Sequence, residues 1–201
     1  HRTCGFPDLY NYTNGASVVG YFSLMSDGSH GGGGRHPTSI DPYLKHSAGW
    51  ATMTSLAPGD HFRASVQRDR NHYYRVVNPA EPREYIVFES RDDTGYEGPY
   101  GGHAKSVCPG KGLVAWHVFE GGSNTCPWLT ETGGPVYEAL IIEASPTTAY
   151  SPWYTDEEPG ALSSDTFVAG RGADPLDDAS TPDLKFWDQA LHTRSVPSGF
   201  T

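Results

Sequence analysis

The spacing of apolar positions changes near residue 53. Before it, residues 1–38 show little periodicity and many turn formers, among them Asn14-Gly15, Asp27-Gly28 and Gly31 to Gly34, which predicts mostly irregular chain. Residues 41–50 carry the best helical signal. Asp41 suits the N-cap and Pro42 the first turn, and Gly49 can end the helix in the left-handed conformation. Tyr43, Leu44, Ser47 and Ala48 offer one packing face. From Met53 onward the pattern is that of strands. Residues 73–77 and 84–89 are rich in β-branched and aromatic side chains at strand length, and 56–60 reads as a turn. In the second strand, Tyr85, Val87 and Glu89 would face one way and Ile86 and Phe88 the other. Residues 112–118 and 136–143 are the other clear strands. The tail reads as loop, with a segment at 164–168 and a short helix around 185–191. The fold class expected is α+β and strand-dominated, with loops and one helix over 1–52 and an antiparallel sheet or β-sandwich-like domain over 53–201.

Composition agrees with that picture. The chain has 201 residues, 36% of them hydrophobic, with 24 Gly, 16 Pro and 12 Tyr, which suits a loop-rich, strand-dominated protein. A formal charge of −10, with no cluster of Lys and Arg to form a phosphate footprint, argues against nucleic acid as a partner. No apolar run is long enough for a transmembrane helix, so no membrane partner is expected. Three cysteines leave one odd. Cys108 and Cys126 flank residues 112–118 and their Gly-rich exit at a separation a disulfide can close, and a bridge there would imply an oxidising, extracellular compartment. Two reduced thiols in a cytosolic domain are the alternative. Cys4 is either a buried thiol or the partner of a cysteine further upstream. Asn11-Tyr12-Thr13 fits the glycosylation pattern, which recurs often by chance. No leader is visible and the first residue is not Met, so the start reads as an internal point of a longer chain.

The opening residues carry the candidate chemistry. A zinc-binding helix commonly presents His-Glu-x-x-His, because residues four apart share one face. A Gly then breaks the helix and a third ligand follows. Here His1 is followed by Gly5 and Asp8, while the His-Glu-x-x half is absent from the sequence. Residues 5–10 resemble the end of the zinc motif of the immune inhibitor A family of secreted zinc metallopeptidases. Residues 21–29, centred on Met25, resemble that family's Met-turn. Residues 40–50, ending in Gly49-Trp50, are similar to its closing helix, and 84–91 and 111–118 to two strands that follow the catalytic part. Residues 119–201 match loosely, through Ser164-Asp165-Thr166-Phe167.

The resemblance implies a metzincin-like lower catalytic subdomain over 1–52, followed by the β-rich domain. It implies zinc as cofactor, His1 and Asp8 as ligands, and Met25 as an apolar floor. The general-base Glu would come from an upstream segment of the same parent protein, the substrate would be a protein or peptide, and the location would be extracellular. In the family the second zinc His precedes the Gly by three positions, whereas His1 precedes Gly5 by four. Aligned without a gap, Arg2 takes the ligand slot, and a guanidinium cannot bind zinc. With one residue inserted His1 is the ligand, and this alignment is the one adopted.

Other polar residues were weighed against structural roles. Glu89 and His117, on strand segments that share the resemblance, are second-shell candidates for the site, or else polar contacts at a domain interface. His30-Gly31-Gly32-Gly33 can build an esterase oxyanion hole, but no Gly-x-Ser-x-Gly turn accompanies it, and a loop near the substrate cleft suits it better than a second metal site with His36. Asp156, Glu157 and Glu158, with Asp174, Asp177 and Asp178, are oxygen ligands of the kind calcium uses, or else a solvated acidic surface. Two functional classes follow: part of a secreted zinc endopeptidase, or a non-catalytic extracellular β-rich module on a degenerate peptidase scaffold.

Overall fold

The computed structural model describes residues 3–13, 15, 19–63, 70–91, 112–126, 137–142, 179, 184–188 and 193–199. Five strands form the main sheet: β1 Thr52–Ser55, β2 His72–Val77, β3 Glu84–Arg91, β4 Gly112–Phe119 and β5 Ala139–Ile142, in spatial order β1-β2-β3-β4-β5. The strands from β2 to β5 pair antiparallel, as the strand pattern of the sequence predicts, with a short connection joining β2 to β3. β1 departs from the expected antiparallel arrangement, because it runs parallel to β2, with Met53 opposite Tyr73. The connection over 56–71 is long enough to carry the chain across and return it in the same direction. A turn opens that connection, closed by Asp60, whose N–H bonds the Ala57 carbonyl (3.0 Å) while its carboxylate accepts from the Ala57 N–H (2.8 Å).

β3 decides the layering. It is buried along nearly its whole length, and the expected alternation holds. Tyr85 and Val87 join one apolar cluster, with Val114, Trp116, Val118, Ala139 and Ile141 from the neighbouring strands. Ile86 and Phe88 join a second cluster on the opposite face, with Val76, Ala115 and Ile142. Each face therefore needs its own cover. The second face is covered by a two-stranded antiparallel unit, β6 Phe186–Asp188 and β7 Thr193–Val196, through Leu184, Phe186 and Val196. The helix expected around 185–191 is thus corrected to a strand over 186–188: Leu184 and Phe186, two apart, are both buried, which is strand periodicity.

The first face is covered by the N-terminal segment. Phe6, Leu9, Val19, Phe22 and Leu44 share one cluster with the strand residues named above, so the boundary drawn at residue 52 falls inside a continuous apolar core. This segment is irregular, as expected. It has two short 3-10 turns, Gly20–Phe22 and Asp27–His30, a single helical turn α1 (Gly31–Gly34), and the helix α2 (Pro42–Ser47). Asp41 caps α2 by accepting from the Leu44 N–H (2.9 Å), and Gly49 follows at φ 74°, the left-handed stop that the sequence predicts.

Several calcium and tail candidates (Asp156, Glu157, Glu158, Asp174, Asp177, Asp178 and residues 164–168) lie outside the described residues. Of the two cysteines in the expected Cys108–Cys126 bridge, Cys108 lies outside the described residues, and Cys126 is half-buried with a free thiol, its backbone N–H bonding Ser123 Oγ (3.1 Å). Cys4 is an exposed free thiol.

Two outcomes follow from this layering. Residues 1–50 expressed alone should show poor amide-proton dispersion and no cooperative melt, because Phe6, Leu9, Phe22 and Leu44 bury against strands that the fragment lacks. A dispersed, cooperative fragment would show that the layer has a core of its own.

The second outcome concerns Glu138, which accepts a hydrogen bond from Tyr43 Oη and so ties α2 to the sheet. Burial raises its pKa above the ordinary 4.5; the Tyr43 bond opposes the rise, and the Asp41 and Glu120 charges reinforce it. A carboxyl raised in the folded state contributes stability that is complete below its unfolded pKa and is lost as pH climbs through the folded one. Glu138→Gln keeps an acceptor for Tyr43 and removes the charge. Its stability relative to the parent, measured by urea unfolding, should therefore improve steadily as pH rises from about 4.5 to neutrality.

Candidate functional site

The two segments that the sequence sets at a zinc centre meet through the backbone. The Leu9 N–H bonds the Met25 carbonyl (2.8 Å), which places residue 8 beside the 24–30 turn. Between them lies a cavity of about 400 Å³. Asp8, Tyr10 and Gly15 form one wall, Leu24 and Met25 lie along it, and Ser26, Asp27, Ser29 and His30 complete it. Asp8, Met25 and His30 are thus brought together, while His1 and Arg2 lie outside the described residues.

Asp8 is half-buried, and Tyr12 Oη donates a hydrogen bond to its Oδ2. That bond to the carboxylate pushes the Tyr12 phenol up to about 12. The short spacing of the pair follows from the local chain. Asn11 is fully buried and its Oδ1 accepts from the Thr13 N–H (2.8 Å), a turn that brings residue 12 back over residue 8. The Tyr12 N–H bonds the Thr125 carbonyl (3.1 Å), and Asn124 Nδ2 donates to the carbonyls of Leu9 (3.4 Å) and Ala139 (2.9 Å), fastening this segment to β5. Burial of the Asn11 amide leaves no room for a glycan there in this conformation.

The opposite wall is fixed by buried charge. Ser23 Oγ donates to Asp41 Oδ2 (2.7 Å) and accepts from the Met25 N–H (3.1 Å), so the cap of α2 also positions the Met25 turn. From β3, Arg91 donates through Nη2 to the Phe22 carbonyl (2.6 Å) and through Nε to Glu89 Oε2 (2.8 Å), while Glu89 also accepts from Trp116 Nε1 (3.0 Å). Glu89 therefore orients Arg91, and Arg91 holds the chain two residues before Leu24. Gly28 presses against the same scaffold. A Cβ there would lie 2.0 Å from Thr38 Oγ1 and 2.3 Å from the Ser23 carbonyl, so no other residue fits. The His30–His36 stretch is a folded turn, closed by bonds from the His36 N–H to the Gly31 carbonyl and from the Thr38 N–H to the Gly28 carbonyl, each 3.0 Å.

His117 belongs elsewhere. It stands opposite Ile86 in the β3–β4 register and pairs with Glu84 (2.7 Å), which also accepts from Asn78 Nδ2 (2.7 Å). This buried polar trio faces the β6–β7 side. Glu89 faces the N-terminal layer, so the two second-shell candidates lie on opposite faces of the sheet, and the sheet separates His117 from Asp8 and Met25. Sequence reasoning missed Tyr12, Ser23, Asp41 in its second role, and Asn124. The spacing of Asp8 and Tyr12, four apart but outside any helix, gave no signal.

Among the described residues, no three His, Cys, Asp or Glu side chains converge into a metal-binding group. The chain matches no protein-family model, no curated protein and no solved structure.

The buried Asp41 sets a stability test. Burial raises its pKa despite the bonds it accepts, so the neutral amide is a close mimic. Asp41→Ala removes the cap and the Ser23 bond together and should cost about 2 kcal/mol in denaturant unfolding, whereas Asp41→Asn should cost about half that or less. Equal losses would mean that the carboxylate charge, rather than its acceptor geometry, holds the turn.

Proposed function

We propose that this chain forms part of a secreted zinc-dependent endopeptidase of immune inhibitor A-like type, with a metzincin-like lower subdomain over 1–52 and a β-rich remainder. The observation behind this reading is the bond from the Leu9 N–H to the Met25 carbonyl (2.8 Å), which sets Asp8 and Met25 on one cavity. Asp8 is of the donor type zinc accepts, and its hydrogen bond from Tyr12 is the kind of outer contact that orients a ligating carboxylate. In this reading His1 and Asp8 hold the metal, with the remaining ligand and the general-base Glu supplied by the upstream segment of the parent.

Zinc supplies Lewis acidity and an activated water for peptide hydrolysis. The residues of this chain supply position. Tyr12 orients the Asp8 carboxylate through Oδ2. Leu24 and Met25 exclude water beneath it. The Arg91–Glu89 pair and Asp41 lock the turn that carries Met25. Because Arg91 and Glu89 come from the sheet, the β-rich part acts as a rigid support of the site.

Zinc competition titrations on the parent protein test the assignment apart from turnover. Asp8→Ala should weaken zinc binding by at least about ten-fold, and Tyr12→Phe by about ten-fold. His1→Ala should weaken it far more than Arg2→Ala. Chelation should abolish peptide cleavage and added zinc restore it, and the 201-residue chain alone should be inactive. A parent that binds no zinc would instead favour a non-catalytic β-rich module.

A further inference from the structure

The cavity beside Asp8 has chemistry that metal binding does not use. Its volume of about 400 Å³ falls within the range of roughly 300–1,000 Å³ typical of ligand sites. Leu24 and Met25 give it an apolar stretch, Tyr10 an aromatic side, and Asp27 a carboxylate. Among the described residues that line it, none is Lys or Arg. Asp27 is half-buried, and among the described residues it forms no ion pair or hydrogen bond. A half-buried carboxylate beside an apolar stretch is a ready partner for a cationic guest.

We propose that this cavity binds the basic side chain, lysine or arginine, of a peptide, with Asp27 as the partner of its charge and Leu24 and Met25 as the bed of its methylene stem. A long basic side chain has this dual character, an apolar stem ending in a strongly hydrated cation. The proposal rests on the zinc reading in one respect, that the cavity belongs to a peptide-binding site; with or without metal, Asp8 is already engaged by Tyr12, and Asp27 is the carboxylate offered to the guest.

The wall is built before any guest arrives. Gly28, pressed against Ser23 and Thr38, fixes the residue after Asp27. Ser29 Oγ donates to the Ser26 carbonyl (3.0 Å) and lies 3.3 Å from His30 Nδ1, which closes the turn on itself. A carboxylate carried on such a turn needs little ordering on binding, so its attraction for a cation is expressed in affinity.

The experiment uses the 201-residue chain, isotope-labelled and kept in chelator, with three probes: the N-acetyl amides of lysine, arginine and norleucine. Amide-shift titrations should place the lysine and arginine probes at residues 24–30, with affinity about ten-fold above the norleucine probe, the lower end of what a hydrogen bond to a charged group contributes. That preference should shrink from low to high salt. Asp27→Asn should erase it, and Asp27→Lys should transfer it to the N-acetyl amide of glutamate. Equal affinity for lysine and norleucine probes, no shifts at 24–30 with any probe, or an unchanged preference in Asp27→Asn would each overturn the proposal. If Asp27→Asn does not fold, the salt series on the unsubstituted chain decides, and a preference that salt leaves intact overturns it. Chelator keeps zinc out of the measurement, so failure here and failure of the zinc titrations are separate results.

Discussion

Burial of β3 on both faces is the constraint that organises this molecule. A strand with Tyr85 and Val87 on one side and Ile86 and Phe88 on the other cannot leave either side to water. Two covers are therefore required, and neither is a regular layer. One is an irregular N-terminal segment with a single real helix, and the other a two-stranded unit. An irregular cover brings unpaired backbone groups into a buried setting, where each must find a partner. Arg91 on the Phe22 carbonyl, Asn124 on the carbonyls of Leu9 and Ala139, and Ser23 on the Met25 N–H are answers to that demand. The candidate site inherits its shape from them.

Buried polar pairs divide by the same geometry. The Glu89–Arg91 pair looks toward the N-terminal layer and the Glu84–His117 pair toward the β6–β7 side, because residues of opposite parity on β3 point to opposite faces. Removing one partner of the Glu89–Arg91 ion pair strands the other, at a cost of about 3–5 kcal/mol. The sheet thus carries a polar anchor on each face, and each anchor fixes a different part of the chain.

What was legible in the sequence was local. The cap at Asp41, the stop at Gly49 and the strands β2 to β5 follow from periodicity and from residues with special backbone conformations, both of which act over a few positions. What escaped was set by distance. The direction of β1 depends on where a long connection delivers it, and the opposite facings of Glu89 and His117 depend on the β3–β4 register. The short stretch around Phe186 reads as helix or strand until the sheet face beneath it is known. In the site, Asp8 and Met25 are legible through the resemblance of their segments, whereas Tyr12 and Ser23 are not, because their partners are brought near by turns with no periodic signature.

The contact between Leu9 and Asn124 joins residues 115 positions apart. On the ribosome, the segment holding Phe6, Leu9, Phe22 and Leu44 emerges well before β4 and β5, the strands that shelter it. It must travel as exposed apolar chain until both strands have been added behind it. The antiparallel strands β2 to β4 can pair locally in that interval, and the segment synthesised before them docks late. Order of synthesis and order of folding are therefore reversed for this cover, and the half-formed sheet, its faces still bare, is the species most in need of a chaperone.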